Sequence, residues 1–195
     1  RAPAPGRPDV AALVADVETV APAAGEAFVA SLDNLAARTR TVELAGGLAA
    51  TFLPKQTRGA KVVIELRFRH GDAGALRGQA AVAQLLGQVV IRGTKTRSYQ
   101  QIVELQDRLT ASVSVDSDAG VIAVSIETVR ASVPEVIALV ADVLKRPALA
   151  AKELEVVRRA QISELEAARQ DPMQLAFRRF EQLRAPWPKD DPRAM

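Results

Sequence analysis

The stretch Lys61 to Arg69 constrains the fold more than any other part of this chain. Val62, Ile64, Leu66 and Phe68 alternate with Val63, Glu65, Arg67 and Arg69. A period of two residues is that of a β-strand with one face on a core and the other polar, and it excludes a purely helical fold. The remaining signals arrange themselves around this strand. Thr41–Leu44 and Ala49–Leu53 flank Ala45-Gly46-Gly47 and read as a hairpin. A helix is expected over about 76–92, and a second runs from an N-cap at Ser98 to about Leu109. Strands are expected at Ala111–Asp116 and Val121–Glu127. Ser132 is placed as the cap of a helix with Pro134 in its first turn and an apolar stripe of Val133, Val136, Ile137, Val140, Val143 and Leu144. A long, largely polar helix follows over Ala151–Arg169, Asp171-Pro172 breaks it, and a last helix carries Leu175, Phe177, Phe180 and Leu183.

Strands and helices that come in runs, without β-α-β alternation, indicate an α+β fold. The expectation is an antiparallel-rich mixed sheet of about five to six strands with helices packed on one face. Residues 39–195 form this single domain, and residues 1–38 form a connector with a short helix suggested by Val10, Leu13, Val14 and Val17. Arg1 in the first position and a charged, proline-containing end suggest a segment of a longer protein.

Composition narrows the function classes. At 195 residues the chain is long enough for a substantial core. It contains no cysteine, which removes thiolate chemistry and disulfides. The net charge is +3, but positive and negative side chains are interspersed, and only five Phe, one Tyr and one Trp are present for stacking, so no nucleic-acid surface is expected. No apolar run reaches the roughly 20 residues of a membrane span. No phosphate-cradling glycine loop is present, and a nucleophile–histidine system would have to use His70, the sole histidine, beside a turn.

The most informative helix is Ala81–Ile91, which runs into Arg92-Gly93-Thr94-Lys95. Gln84 and Gln88, four residues apart, share one face with Gly87 between them. Two histidines at that spacing can hold a metal, and a glutamate between them can act on bound water. Here the same positions read Gln, Gly, Gln.

Four segments carry a resemblance to the insulinase/pitrilysin zinc peptidases, whose metal helix reads H-x-x-E-H. They are Leu44–Leu48 with Leu53-Pro54-Lys55; Leu66–Gly71; Ala83–Gln88 with Arg92–Ser98; and Ala141–Pro147 followed by the long helix and Asp171-Pro172. Carried over by position, the resemblance puts the family's two histidines on Gln84 and Gln88 and its catalytic glutamate on Gly87. The third zinc ligand falls on Glu164, and a companion glutamate falls on Val157. Neutral amides are poor zinc ligands, and glycine has no side chain to act as a base. The resemblance therefore implies a catalytically inactive domain: no catalytic residue, no metal and no cofactor of its own. Zinc is expected in a partner catalytic half, on the same polypeptide or a separate subunit, with peptide as the substrate of the whole. The alternatives are a pure scaffold subunit of this fold, or an active zinc endopeptidase, which the missing ligands oppose. For a bacterial relative the resemblance points to the periplasm or export. The isolated domain exposes its partner surfaces and so can self-associate as a homodimer.

Several residues carry a plainer reading beside the sharper one. Arg67 and Arg69 are solvated charges or line a substrate chamber. Gln84 and Gln88 donate, one or both, to Glu164, or are plain surface polars, or contact a bound peptide. Phe177 and Phe180 are read as core anchors, and Trp187 as a contact with a following domain.

Overall fold

The computed structural model describes residues 24–188 and Asp191. The lead-in and the helix expected around Val10–Val17 lie outside the described residues. The chain divides into two compact units at Ala60/Lys61.

In the first unit, α1 (Leu32–Arg38) begins where the Ser31 hydroxyl accepts from Asn34 N–H, in a region read from sequence as linker with one helical turn. Strands β1 (Arg40–Leu44) and β2 (Leu48–Phe52) then form an antiparallel hairpin from Arg40↔Phe52 to Leu44↔Leu48. Gly46 and Gly47 both adopt positive φ, +83° and +76°, which glycine reaches without the Cβ clash that strains other residues. Among the described residues this hairpin pairs only with itself. The α+β architecture with antiparallel pairing is as the sequence suggested; among the described residues five strands form two sheets, of two and three. Alternating apolar residues define a strand's faces but leave open which neighbour takes its edge.

The second unit holds the three-stranded sheet, with β3 (Lys61–Arg69), β4 (Ser112–Asp118) and β5 (Val121–Val129) in the order β3-β5-β4. β5 is central because it pairs along its full length with β3, Lys61↔Val129 to Arg69↔Val121, and with β4, Ser112↔Glu127 to Asp118↔Val121. One face carries Val113, Val115, Val124 and Ile126, all buried. Thr128 joins them, its hydroxyl donating to the carbonyl of Leu109 at 3.2 Å, so this buried polar group is satisfied. The alternation seen in β3 holds for Val62, Ile64 and Leu66, which are half-buried, while Val63 is 70% exposed.

Helices α2 (Ala80–Val90), α3 (Tyr99–Arg108) and α4 (Val133–Lys145) cover that face, and α5 (Ala151–Ala168) and α6 (Pro172–Arg184) follow. α2 and α3 pack on β4, α4 packs on β5, and α5 lies against α2. Ile102 of α3 and Val136 and Val143 of α4 are essentially inaccessible and complete one continuous core with the sheet. Each such side chain contributes about 1.5–3 kcal/mol by leaving water. α3 begins with a capping box: Ser98 Oγ accepts from Gln101 N–H, and Gln101 Oε1 accepts from Ser98 N–H.

Three expectations need correction. Ser132 makes no capping bond, because a 3-10 turn at Arg130–Ser132 leads directly into α4. Leu139, not Ile137, completes the buried stripe of α4, with Ile137 39% exposed. Phe177 and Phe180 are not core anchors: they are 57% and 59% exposed, and Leu175 and Leu183 are exposed as well. Only Glu181 of α6 is buried, and α6 makes no extensive packing contact with another element. Helical spacing sets which residues share a face, but it does not supply something to cover that face.

Candidate functional site

The helix α2 presents its residues in two sets. Ala83, Gly87 and Val90, at i, i+4 and i+7, are buried with Val89, whereas Gln84 and Gln88 are exposed. Gly87 faces β4 at very short range. A Cβ added there would stand 2.6 Å from Ser117 N, 2.8 Å from Ser117 Cβ and 3.0 Å from Asp116 C. The glycine is thus a packing residue, offsetting its helix cost of about 1 kcal/mol by letting helix and strand approach.

Glu164 lies on α5 and is exposed. Among the described residues no hydrogen bond joins it to Gln84 or Gln88, so the amide–carboxylate network considered from the sequence is not formed. Val157, at the companion position, is buried at 3% exposure and belongs to the packing of α5. Among the described residues no group of three or more His, Cys, Asp or Glu side chains is placed to hold a metal ion. Gln84 and Gln88 offer neutral amides, which are poor zinc ligands, Gly87 offers no side chain, and the one carboxylate among these positions is Glu164.

Arg67 and Arg69 lie on the outward face of β3 and are exposed; Arg67 Nε donates to Glu65 Oε1 at 2.6 Å. His70 is exposed too, and its backbone N–H donates to the carbonyl of Gly120 at 3.0 Å. Trp187 is 42% exposed, and its N–H donates to the carbonyl of Ala185.

A buried, hydrogen-bonded polar cluster lies at the Gly-Thr-Lys turn that follows α2. Its centre is Asp142 of α4, whose side chain is 4% exposed. Asp142 Oδ2 accepts from Thr96 Oγ1 at 3.1 Å and from Arg97 Nη1 at 2.9 Å. Oδ1 stands 2.7 Å from Arg146 Nη2, an ion pair whose angle falls short of a hydrogen bond. Thr94 Oγ1 accepts from the N–H groups of Thr96 and Arg97, closing the turn. Backbone bonds tie the same turn to the end of α4: Lys95 N–H to the Arg146 carbonyl and Ala148 N–H to the Gly93 carbonyl, each 2.9 Å. Burial pushes the Asp142 carboxyl up. The hydroxyls of Thr94 and Thr96 and the charges of Arg146 and Arg97 outweigh it and hold the group below the usual carboxylate range. Arg92 adds a second tie, with Nε 2.8 Å from Glu153 Oε2 on α5 and its guanidinium 4.5 Å from the centre of the Tyr99 ring. Sequence reasoning passed over Asp142. The available signal was an acid within an otherwise apolar helix stripe, four residues before an arginine.

This geometry holds α2 firmly at its C-terminal end and presses its middle onto β4. It leaves the amides of Gln84 and Gln88 exposed.

Residues 52–186 match the family "Insulinase (Peptidase family M16)". No curated protein matches the chain. Among solved structures, a protease from Helicobacter pylori superposes with a TM-score of 0.61 at 17% identity, over 74% of this chain and 35% of that one. An inactive domain of an M16 peptidase from Pseudomonas fluorescens gives a TM-score of 0.61 at 19% identity, with the same 74% and 35% coverage. A mutant of the ferredoxin protease FusC, in complex with Arabidopsis ferredoxin, gives 0.55 at 16% identity over 87% of this chain and 19% of that one. The chain thus spans 35% of the length of the first two structures.

Proposed function

The chain belongs to the insulinase family, peptidase family M16, and we propose that within it this segment is a catalytically inactive domain that shapes a substrate chamber beside a catalytic half. The observation that carries the reading is the state of α2. At the positions where an active relative needs two imidazoles and a carboxylate, this chain has two exposed amides and a glycine pressed onto a strand. A neighbouring fold described as an inactive M16 domain supports the same reading.

On this proposal residues 39–195 are the peptidase-like domain and residues 1–38 a connector, supported by a family match that begins at Phe52. Zinc and the general base reside in the partner half, on the same polypeptide or another subunit. This domain contributes walls: Arg67 and Arg69 supply fixed positive charge, and Gln84 and Gln88 supply hydrogen-bonding amides for an extended peptide backbone. No helix of the described residues is long and apolar enough to cross a membrane.

The test is a chelator-sensitive peptidase assay on this chain alone and on the parent assembly, with zinc content measured in both. The expected result is cleavage and stoichiometric zinc only in the assembly. Chelator-sensitive cleavage by this chain alone would overturn the proposal.

A further inference from the structure

The substitution of the family's catalytic glutamate by glycine can be read in two ways. Either the residue drifted once it was no longer needed, leaving an empty place, or the place itself has been closed. The contact between α2 and β4 distinguishes them. A Cβ at residue 87 would meet the backbone nitrogen of Ser117 at 2.6 Å, its Cβ at 2.8 Å and the carbonyl carbon of Asp116 at 3.0 Å. Backbone cannot rotate aside as the tip of a flexible side chain can.

Neither partner is free to retreat. Ser117 pairs with Ile122 in the β4–β5 ladder, and Val113 and Val115 of the same strand are buried in the core. On the helix side, Ala83 and Val90 are buried on either side of Gly87. Beyond its end, Arg92 is tied to Glu153 and the Gly93–Arg97 turn to Asp142. The Ser117 side chain points to the helix-covered face in the register of Val113 and Val115. Its Oγ is buried with no hydrogen-bond partner, so no bond accounts for its position, and its packing under α2 does.

We infer that Ser117 and the β4 backbone occupy the space of the family's catalytic carboxylate, so that no side chain at residue 87 is compatible with this packing. The inference rests on the inactive-domain reading and deepens it: the domain is closed to hydrolytic chemistry by its architecture as well as by its letters. Putting His at 84 and 88 and Glu at 87 would not rebuild the site unless β4 also moved.

The experiment is thermal unfolding of the full chain with Gly87→Ala, Ser117→Gly and the double variant. Helix propensity alone raises the Tm of Gly87→Ala, because alanine is the better helix former. Overpacking lowers it, by about 4–8 °C for a chain of this size. The expected result is a fall, and a smaller fall when Gly87→Ala is made in the Ser117→Gly background. A Tm that is unchanged or raised overturns the inference; an equal fall in both backgrounds overturns the role of the Ser117 side chain and assigns the closure to the β4 backbone alone. If Gly87→Ala does not fold, folding of the double variant gives the same support, and failure of both overturns the role of Ser117. Zinc binding with peptide cleavage by the unmodified chain overturns the inactive-domain reading and the closure with it. A raised Tm sinks the closure alone, leaving the inactive-domain reading standing, so the two failures are separable.

Discussion

Around Asp142, a carboxylate 4% exposed gathers two hydrogen bonds and an ion pair from three residues and locks the Gly93–Arg97 turn to α4. At Gln84, Gln88 and Glu164, three polar side chains lie exposed, and no hydrogen bond joins the glutamate to either amide among the described residues. Both sets fall within segments that carry the family likeness. One is built as an anchor; the other has the composition of ordinary surface. Burial of a polar group is tolerated only with partners, so the satisfied, buried cluster marks where the fold depends on specific side chains. The exposed set can change freely without a stability cost.

That contrast can be broken by mutation. Asp142→Ala should have the largest effect, a fall in Tm of about 6–10 °C, because it leaves Arg97, Arg146 and Thr96 without their shared acceptor. Thermal unfolding followed by circular dichroism measures it, and a change below 2 °C, on the order of an ordinary surface substitution, would erase the distinction.

The same carboxylate gives a signature in pH. Its folded-state pKa is depressed, so its contribution to stability is fully present above the unfolded value and is lost as pH falls through the folded one. The stability difference between the wild type and Asp142→Asn should therefore be constant near neutrality and shrink below about pH 4. Urea titrations between pH 7 and pH 3 test this; a difference that grows on acidification has the wrong sign. Glu155, held at about 2 by Arg158 and Arg159, adds a shallower, salt-screened loss in the same acid range, since all three side chains are well exposed.

Ser98→Ala provides an intermediate reference, removing half of a capping box next to the anchored turn at a cost of about 1 kcal/mol. The smallest effects belong to the other constellation. Gln84→Ala, Gln88→Ala and Glu164→Gln should each lie within about 0.5 kcal/mol of wild type in urea unfolding. A loss at Glu164 matching that at Asp142 would mean that the retained acid still holds the domain together.

The sequence made some of this legible and not the rest, for identifiable reasons. The β3 alternation, the Ser98 cap and the β4–β5 hairpin are local signals, written in adjacent residues, and all three appear in the structure. Gly87 was legible as an oddity in a helix, since its cost was evident, but the compensation lies on a strand nearly thirty positions away. Phe177 and Phe180 misled because two aromatics on one helical face ordinarily signal burial, whereas α6 has no extensive cover among the described residues. Asp142 was hidden in an apolar stripe, and its partners Thr96, Arg97 and Arg146 lie in two different segments.

By itself, then, the sequence determined the elements, their polarity and the absence of imidazole and carboxylate at the positions of the metal helix, because periodicity and side-chain chemistry are local properties. Tertiary structure alone decided that β5 sits between β3 and β4 and that a buried acid pins the turn after α2. It also decided that no side chain fits at residue 87, because that depends on how close a helix lies to a strand distant in the chain. The helix that reads as a metal helix without its ligands is, in the folded protein, a helix seated directly on the sheet.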